Sequence, residues 1–257
     1  MIRSAVLAAA LAATTWFGFL QERSASEVAL EATDLLDGRP AHTVLFLGNS
    51  RTYYHHMPAM VRAIADSAHD PEKYQPVVAA YPGASFQNLV GVDRVRKLAG
   101  ARWDDVVMQG ESRGQSSEEL RRDFFRGGEA LAALWRPARG RPWLLVNWTY
   151  DPSLYANPDV ERPPHTALIR ADHDQLARRS DLREIGVSQI WERVRSEYPE
   201  IELTEEGNHP SIAGSYLLGL AIYESLSGRS VGHVTYVPPG LSPEQAGAIR
   251  RVVAEMN

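Results

Sequence analysis

The sequence predicts an α/β fold in which a parallel sheet carries helices on both faces. Four short, largely apolar runs, Thr43–Leu47, Gln75–Ala80, Asp105–Met108 and Trp143–Asn147, are too short for helices and suit strands buried on both sides. The segments between them place apolar residues at helical spacing, so strand and helix alternate along the chain. Parallel neighbours need long crossovers, and these helices supply them.

Taken in order, the first 26 residues stand apart. Arg3 followed by the apolar run Ala5–Leu20 reads as an export signal, cleaved near Ser24-Ala25-Ser26, or as an uncleaved membrane anchor, although the run is short for a span of about 20 apolar residues. Residues 27–41 form a polar linker with a short helix, ending at Gly38-Arg39-Pro40, and residues 42–257 form one folded domain. Within that domain Met57–Ala68 reads as a helix. Phe86–Leu98 reads as another, with Leu89, Val92 and Val95 on one face. The helix Ser117–Trp135 can be capped by Ser116 or Ser117, and Gly127-Gly128 interrupts its pattern. Asp151–Pro164, with four prolines, is a long loop at the C-terminal edge of the sheet, where open α/β folds bind ligands. Helices over Thr166–Arg179, Val187–Ser196, Pro210–Leu226 and Ser242–Glu255 complete the chain.

Composition narrows the function classes. With 257 residues and 44% hydrophobic content, the chain can bury one sizeable core. A formal net charge of −5 argues against a nucleic-acid partner, which would need a concentrated basic surface. The absence of cysteine excludes disulfides, thiolate catalysis, cysteine-based zinc sites and lipoprotein attachment. His55 and His56 are adjacent and so point in different directions on a helix; no metal and no cofactor are assigned.

Two distant motifs carry the chemistry. Gly48-Asn49-Ser50 follows the first strand and precedes a helix, so a tight turn would present the Ser50 hydroxyl in front of helix N-terminal amides. In Glu206-Gly207-Asn208-His209-Pro210 the proline disfavours helical backbone at His209, which presents the ring from a loop. A serine hydroxyl needs a base within hydrogen-bond reach, and the base needs a third group to hold its tautomer. Ser50, His209 and Glu206 supply all three, with Glu205 as the adjacent competitor for the acid.

The blocks Val44–Thr52, Tyr81–Phe86, Val106–Ser112 and Glu206–Leu217 together resemble, in order, those of the SGNH (GDSL-like) hydrolases. The resemblance implies a flavodoxin-like three-layer sandwich and an ester hydrolase working through an acyl-enzyme on Ser50. It covers roughly residues 42–228. The third block, Gln109-Gly110-Glu111-Ser112, has Ser112 where the family commonly has Asn, and is more similar to the carbohydrate-acetylesterase branch. Glu206 stands where the family usually has Asp. The resemblance implies an oxyanion hole from the Ser50 and Gly83 amides and the Gln109 side chain, with Glu111 and Ser112 in supporting positions. Tyr53, Tyr54, Ser112, Trp148 and Asp151 are candidates to line the substrate pocket, where aromatic rings can stack on sugars. The implied substrates are O-acetyl or other short acyl esters of exported carbohydrates. Acyl transfer to a sugar hydroxyl, and a non-catalytic envelope binding protein, are the alternatives.

Overall fold

The computed structural model describes residues 37–135, 142–151 and 166–256. The chain divides between Arg39 and Pro40, and the compact unit that begins at Pro40 holds the whole sheet. The expected signal or anchor and most of the linker lie outside the described residues.

The sheet has five strands: β1 (Ala41–Gly48), β2 (Lys73–Ala80), β3 (Asp105–Gln109), β4 (Pro142–Leu145) and β5 (Arg183–Ile185). Their spatial order is β2-β1-β3-β4-β5, all parallel. Pro76 is tolerated because β2 is an edge strand. The strand β5 was not expected from the sequence; it has three residues, of which only Ile185 is buried, and so leaves no periodic signal.

Helices cover both faces, as alternate side chains of the central strands dictate. On one face Val44, Phe46, Val107 and Leu145 pack against α2 (Met57–Ser67), α7 (Val187–Glu197), α8 (Ile212–Ser227) and α9 (Pro243–Met256). On the other, Leu45, Leu47, Val106, Met108 and Leu144 pack against α3 (Phe86–Gly91), α4 (Asp93–Ala99), α5 (Glu118–Ala132) and α6 (Thr166–Ser180). This is a three-layer α/β sandwich. Every residue of α8 from Ala213 to Glu224 is buried, so this helix is apolar all round instead of striped.

Two helices differ from the sequence reading. Phe86–Leu98 is not continuous: Val92 is extended, at φ −81° and ψ 121°, and separates α3 from α4. Arg96 stabilises the break by donating from Nη1 to the Val90 carbonyl at 2.9 Å. Pro210 does not begin α8; it sits in β7 (His209–Pro210), paired antiparallel with β6 (Thr204–Glu205), and Ser211 caps the helix by accepting from the Gly214 amide. By contrast α5 runs unbroken through Gly127-Gly128 from a cap at Ser117.

In the 2-1-3-4-5 order the connections from β1 and β3 leave toward opposite faces, opening a crevice at the C-terminal ends of those two strands. Ser50 follows β1 and the Gly110–Ser112 turn follows β3, so both motifs meet at this crevice.

Candidate active site

β1 ends at Gly48, where an added Cβ would lie 2.1 Å from Thr52 Oγ1; only glycine lets the chain turn this closely into α1 (Ser50–Tyr53). Asn49 then fixes the turn. Its Oδ1 accepts from the Arg51 amide at 3.1 Å, and its Nδ2 donates at 3.1 Å to the carbonyls of both Ala84 and Gly110. One buried side chain therefore ties together the loops after β1, β2 and β3.

Across the crevice, Glu206 (φ 53°) and Gly207 (φ 71°) form a left-handed reversal between β6 and β7. The Asp151 amide donates to the Gly207 carbonyl at 2.7 Å, anchoring this reversal to the segment after β4. His209 emerges with Nε2 3.0 Å from the Ser50 hydroxyl and Nδ1 3.3 Å from Oε2 of Glu206. With the ring proton on Nδ1, the hydroxyl donates to Nε2 and Nδ1 donates to Glu206. Glu205 is otherwise engaged: it accepts from His55 Nε2 at 2.8 Å. The Glu206 side chain is 75% exposed, so water competes for its carboxylate.

The ring of Tyr54 lies flat on that of His209, with centroids 4.2 Å apart and planes 5° from parallel. Two consecutive left-handed residues, His55 (φ 48°) and His56 (φ 55°), turn the chain between Tyr54 and α2. For residues with a Cβ such backbone costs roughly 1–2 kcal/mol each, a strain that concentrates at functional sites.

Ser50, Tyr53, Tyr54, Gly83, Ser112 and His209 line a cleft of about 380 Å³. Neither the Ser50 nor the Gly83 amide has an acceptor among the described residues, and Gly83 is left-handed at φ 64°. Both are available to an anionic oxygen. Burial raises the Glu111 carboxyl above its ordinary range, and burial with the neighbouring Tyr54 raises the Tyr53 phenol. A larger hollow of about 560 Å³ is walled by Glu200, Glu202, Glu205 and Glu206, but its serine, Ser211, is spent on capping α8. Ser50 and His209 meet in the smaller cleft.

No family model and no curated protein matches the sequence. Among solved structures, the chain is similar to a DUF4886 family protein from Bacteroides uniformis, at 14% identity and a TM-score of 0.66 over 84% of this chain and 94% of that one. It is also similar to a protein from Slackia heliotrinireducens assigned provisionally to the SGNH hydrolases, at 24% identity and a TM-score of 0.54 over 72% and 99% of the two chains. The fold is that of the SGNH hydrolases. A catalytic mutant of an acetylxylan esterase from Geobacillus stearothermophilus shares it, at 14% identity and a TM-score of 0.60 over 77% of this chain and 99% of that chain.

Within this SGNH fold, three sequence expectations are corrected. Gln109 does not face the cleft as an oxyanion donor. Its Nε2 donates to Asn147 Oδ1 at 2.8 Å and to the Gly110 carbonyl, while its Oε1 accepts from Thr52 Oγ1 at 2.8 Å. Both ends of the amide are used inside the protein. Trp148 does not line the pocket either: it is buried, stacked on Trp191 with centroids 4.3 Å apart and covered by Arg51. Asp151 stands outside the cleft lining and acts through its backbone amide on Gly207. Ser112 does line the cleft, and its hydroxyl pairs with that of Tyr150 at 2.7 Å.

Three residues were missed. Asn147 donates to the Gly110 and Glu111 carbonyls and completes the polar layer under the third block. Arg51 and Asn208 hydrogen-bond to each other beside the Ser50–His209 pair. The signal for the last two was their place in the sequence, each next to a motif residue.

Proposed function

We propose that this protein is a serine ester hydrolase acting through an acyl-enzyme on O-acetyl or other short acyl esters of carbohydrates. The reading is carried by one observation: the chain from Ser50 through His209 to Glu206, at 3.0 and 3.3 Å, set in a cleft at the switch point of the sheet. In this mechanism Ser50 Oγ bonds to the ester carbonyl carbon as its proton passes to His209 Nε2, and Glu206 stabilises the imidazolium that results. The oxyanion takes the Ser50 and Gly83 amides. Cleavage of the carbon–oxygen bond releases the alkoxide, which takes the proton from His209 and leaves the acyl group on Ser50. Water then attacks the acyl carbon as His209 accepts a proton, releasing the acid and restoring Ser50. The fold shared with an acetylxylan esterase supports an acetylated sugar as the substrate class, as do the aromatic faces of Tyr53 and Tyr54 at the cleft.

The test is acetate release from acetylated xylo-oligosaccharides and p-nitrophenyl acetate by the wild type and Ser50→Ala, alongside fluorophosphonate labelling mapped by mass spectrometry. Hydrolysis lost in the variant, with labelling at Ser50, is the expected result. A folded protein that releases no acetate and takes no label would refute it. Export, suggested by Arg3 and the apolar run to Leu20, belongs to the same proposal; cell fractionation that leaves the protein in the cytoplasm would refute that part.

A further inference from the structure

Arg51 and Asn208 are the immediate chain neighbours of Ser50 and His209, and they make a second rung between the same two segments. Asn208 Oδ1 accepts from Arg51 Nε at 3.0 Å and from Nη2 at 2.8 Å, beside the Ser50–His209 bond at 3.0 Å. The guanidinium is fixed on its remaining side as well. Nη1 donates to the Trp148 carbonyl at 2.9 Å, and the group lies over the rings of Trp148 and Tyr150, at 4.4 and 5.1 Å from their centroids.

This is an unusual placement for a charge. Arg51 is buried, it forms no ion pair with a carboxylate among the described residues, and burial lowers its pKa to about 10. A buried cation held by neutral acceptors is costly to keep for packing alone, whereas its planar fork is suited to locking one acceptor in place. The acceptor it locks precedes the base in the chain. The ring of that base is also stacked by Tyr54 and its loop tied by the Asp151 amide to Gly207, but its acid is largely in water and its loop is a left-handed reversal.

We infer that Arg51 is a positioning residue, which through Asn208 sets the His209 ring at hydrogen-bond distance from Ser50. The inference rests on the proposed esterase mechanism. A reacting pair misplaced by about 1 Å can lose on the order of 10²-fold in rate without losing substrate affinity. Arg51 stands in the cleft wall but is buried, its guanidinium spent on Asn208 and the Trp148 carbonyl, so its loss should appear in kcat and in Ser50 reactivity and leave KM nearly unchanged.

The experiment compares the wild type with Asn208→Ala, Asn208→Asp and Arg51→Lys, using kcat and KM for p-nitrophenyl acetate, the rate of fluorophosphonate labelling at Ser50, and thermal midpoints. Asn208 is partly exposed, so Asn208→Ala should stay folded. The expected result is a fall of about 10- to 100-fold in kcat and in labelling rate with KM within about twofold. Asn208→Asp, which keeps an acceptor for the fork, should recover most of the rate. Arg51→Lys, which keeps the charge and loses the fork, should not. Wild-type rates in Asn208→Ala would overturn the inference, as would a lowered thermal midpoint with unchanged labelling below it. Should the wild type itself resist labelling at Ser50, the esterase reading is what fails.

Discussion

Glu206 and Glu205 are neighbours in the chain with different partners, His209 for the first and His55 for the second. Replacing the orienting acid of a buried triad by its amide costs about 10⁴-fold; Glu206 is largely solvated, so its amide variant should cost less, about 10²-fold in kcat. Glu205→Gln should leave kcat within about threefold, because it removes only a partner of His55. Parallel kinetics on the two variants checks this, and a larger loss at Glu205 would reverse the assignment. Gln109 invites a second comparison. Gln109→Leu strands buried polar atoms on Thr52 and Asn147, which should destabilise by about 2–4 kcal/mol and leave KM unaltered in protein that stays folded; chemical denaturation measures the first and steady-state kinetics the second. Ser50, His209 and Glu206 were legible because each is defined by its near neighbours in the chain. The direction of the Gln109 amide was not, since Thr52 and Asn147 decide it from other segments.

Elements were legible where burial is periodic. The first four strands and the long helices were found within a few residues, because each presents a full apolar face or run to one of the two cores. Where the sequence reading failed, tertiary contacts decide: three-residue β5 exists by pairing with β4, and Val92 breaks a pattern that its apolar spacing alone would continue. Gly127 makes the same point in reverse. Alanine is the better helix former by about 1 kcal/mol, and α5 is an uninterrupted helix. Yet a Cβ on Gly127 would stand 2.5 Å from the backbone nitrogen of Gln87. Gly127→Ala should therefore lower the thermal midpoint, at a cost of about 1–3 kcal/mol from overpacking. An unchanged or higher midpoint would show that α3 and α5 can separate without penalty.

At the scale of the molecule, the two ends of the sheet carry different ionisable assemblies. At the N-terminal end His42 places Nδ1 2.7 Å from Glu72 and Nε2 2.7 Å from Asp105, and stacks on Tyr74. Asp105 also accepts from the Trp143 indole at 2.6 Å, so strands β1, β3 and β4 and the approach to β2 meet at one imidazolium. Burial works against its charge, but the two carboxylates prevail and raise its pKa from 6.5 to about 9. A base whose pKa is raised on folding adds stability below its unfolded pKa and loses it as pH rises through the folded value. The contribution, at most about 3 kcal/mol for a shift of this size, should be complete at pH 6 and gone by pH 10. Thermal melts of His42→Gln should fall below wild type at pH 6 and converge with it at pH 10; a constant gap would mean that packing, not charge, is what His42 supplies. Six residues of β1, Thr43 to Gly48, separate His42 from the turn that carries Ser50, about 20 Å at the rise of an extended chain. Changes so far apart, with no shared partner, add independently. The stability lost in alkali at His42 and the hydrolysis proposed at Ser50 are thus separable: a substitution at one end of the sheet should leave the other property unchanged.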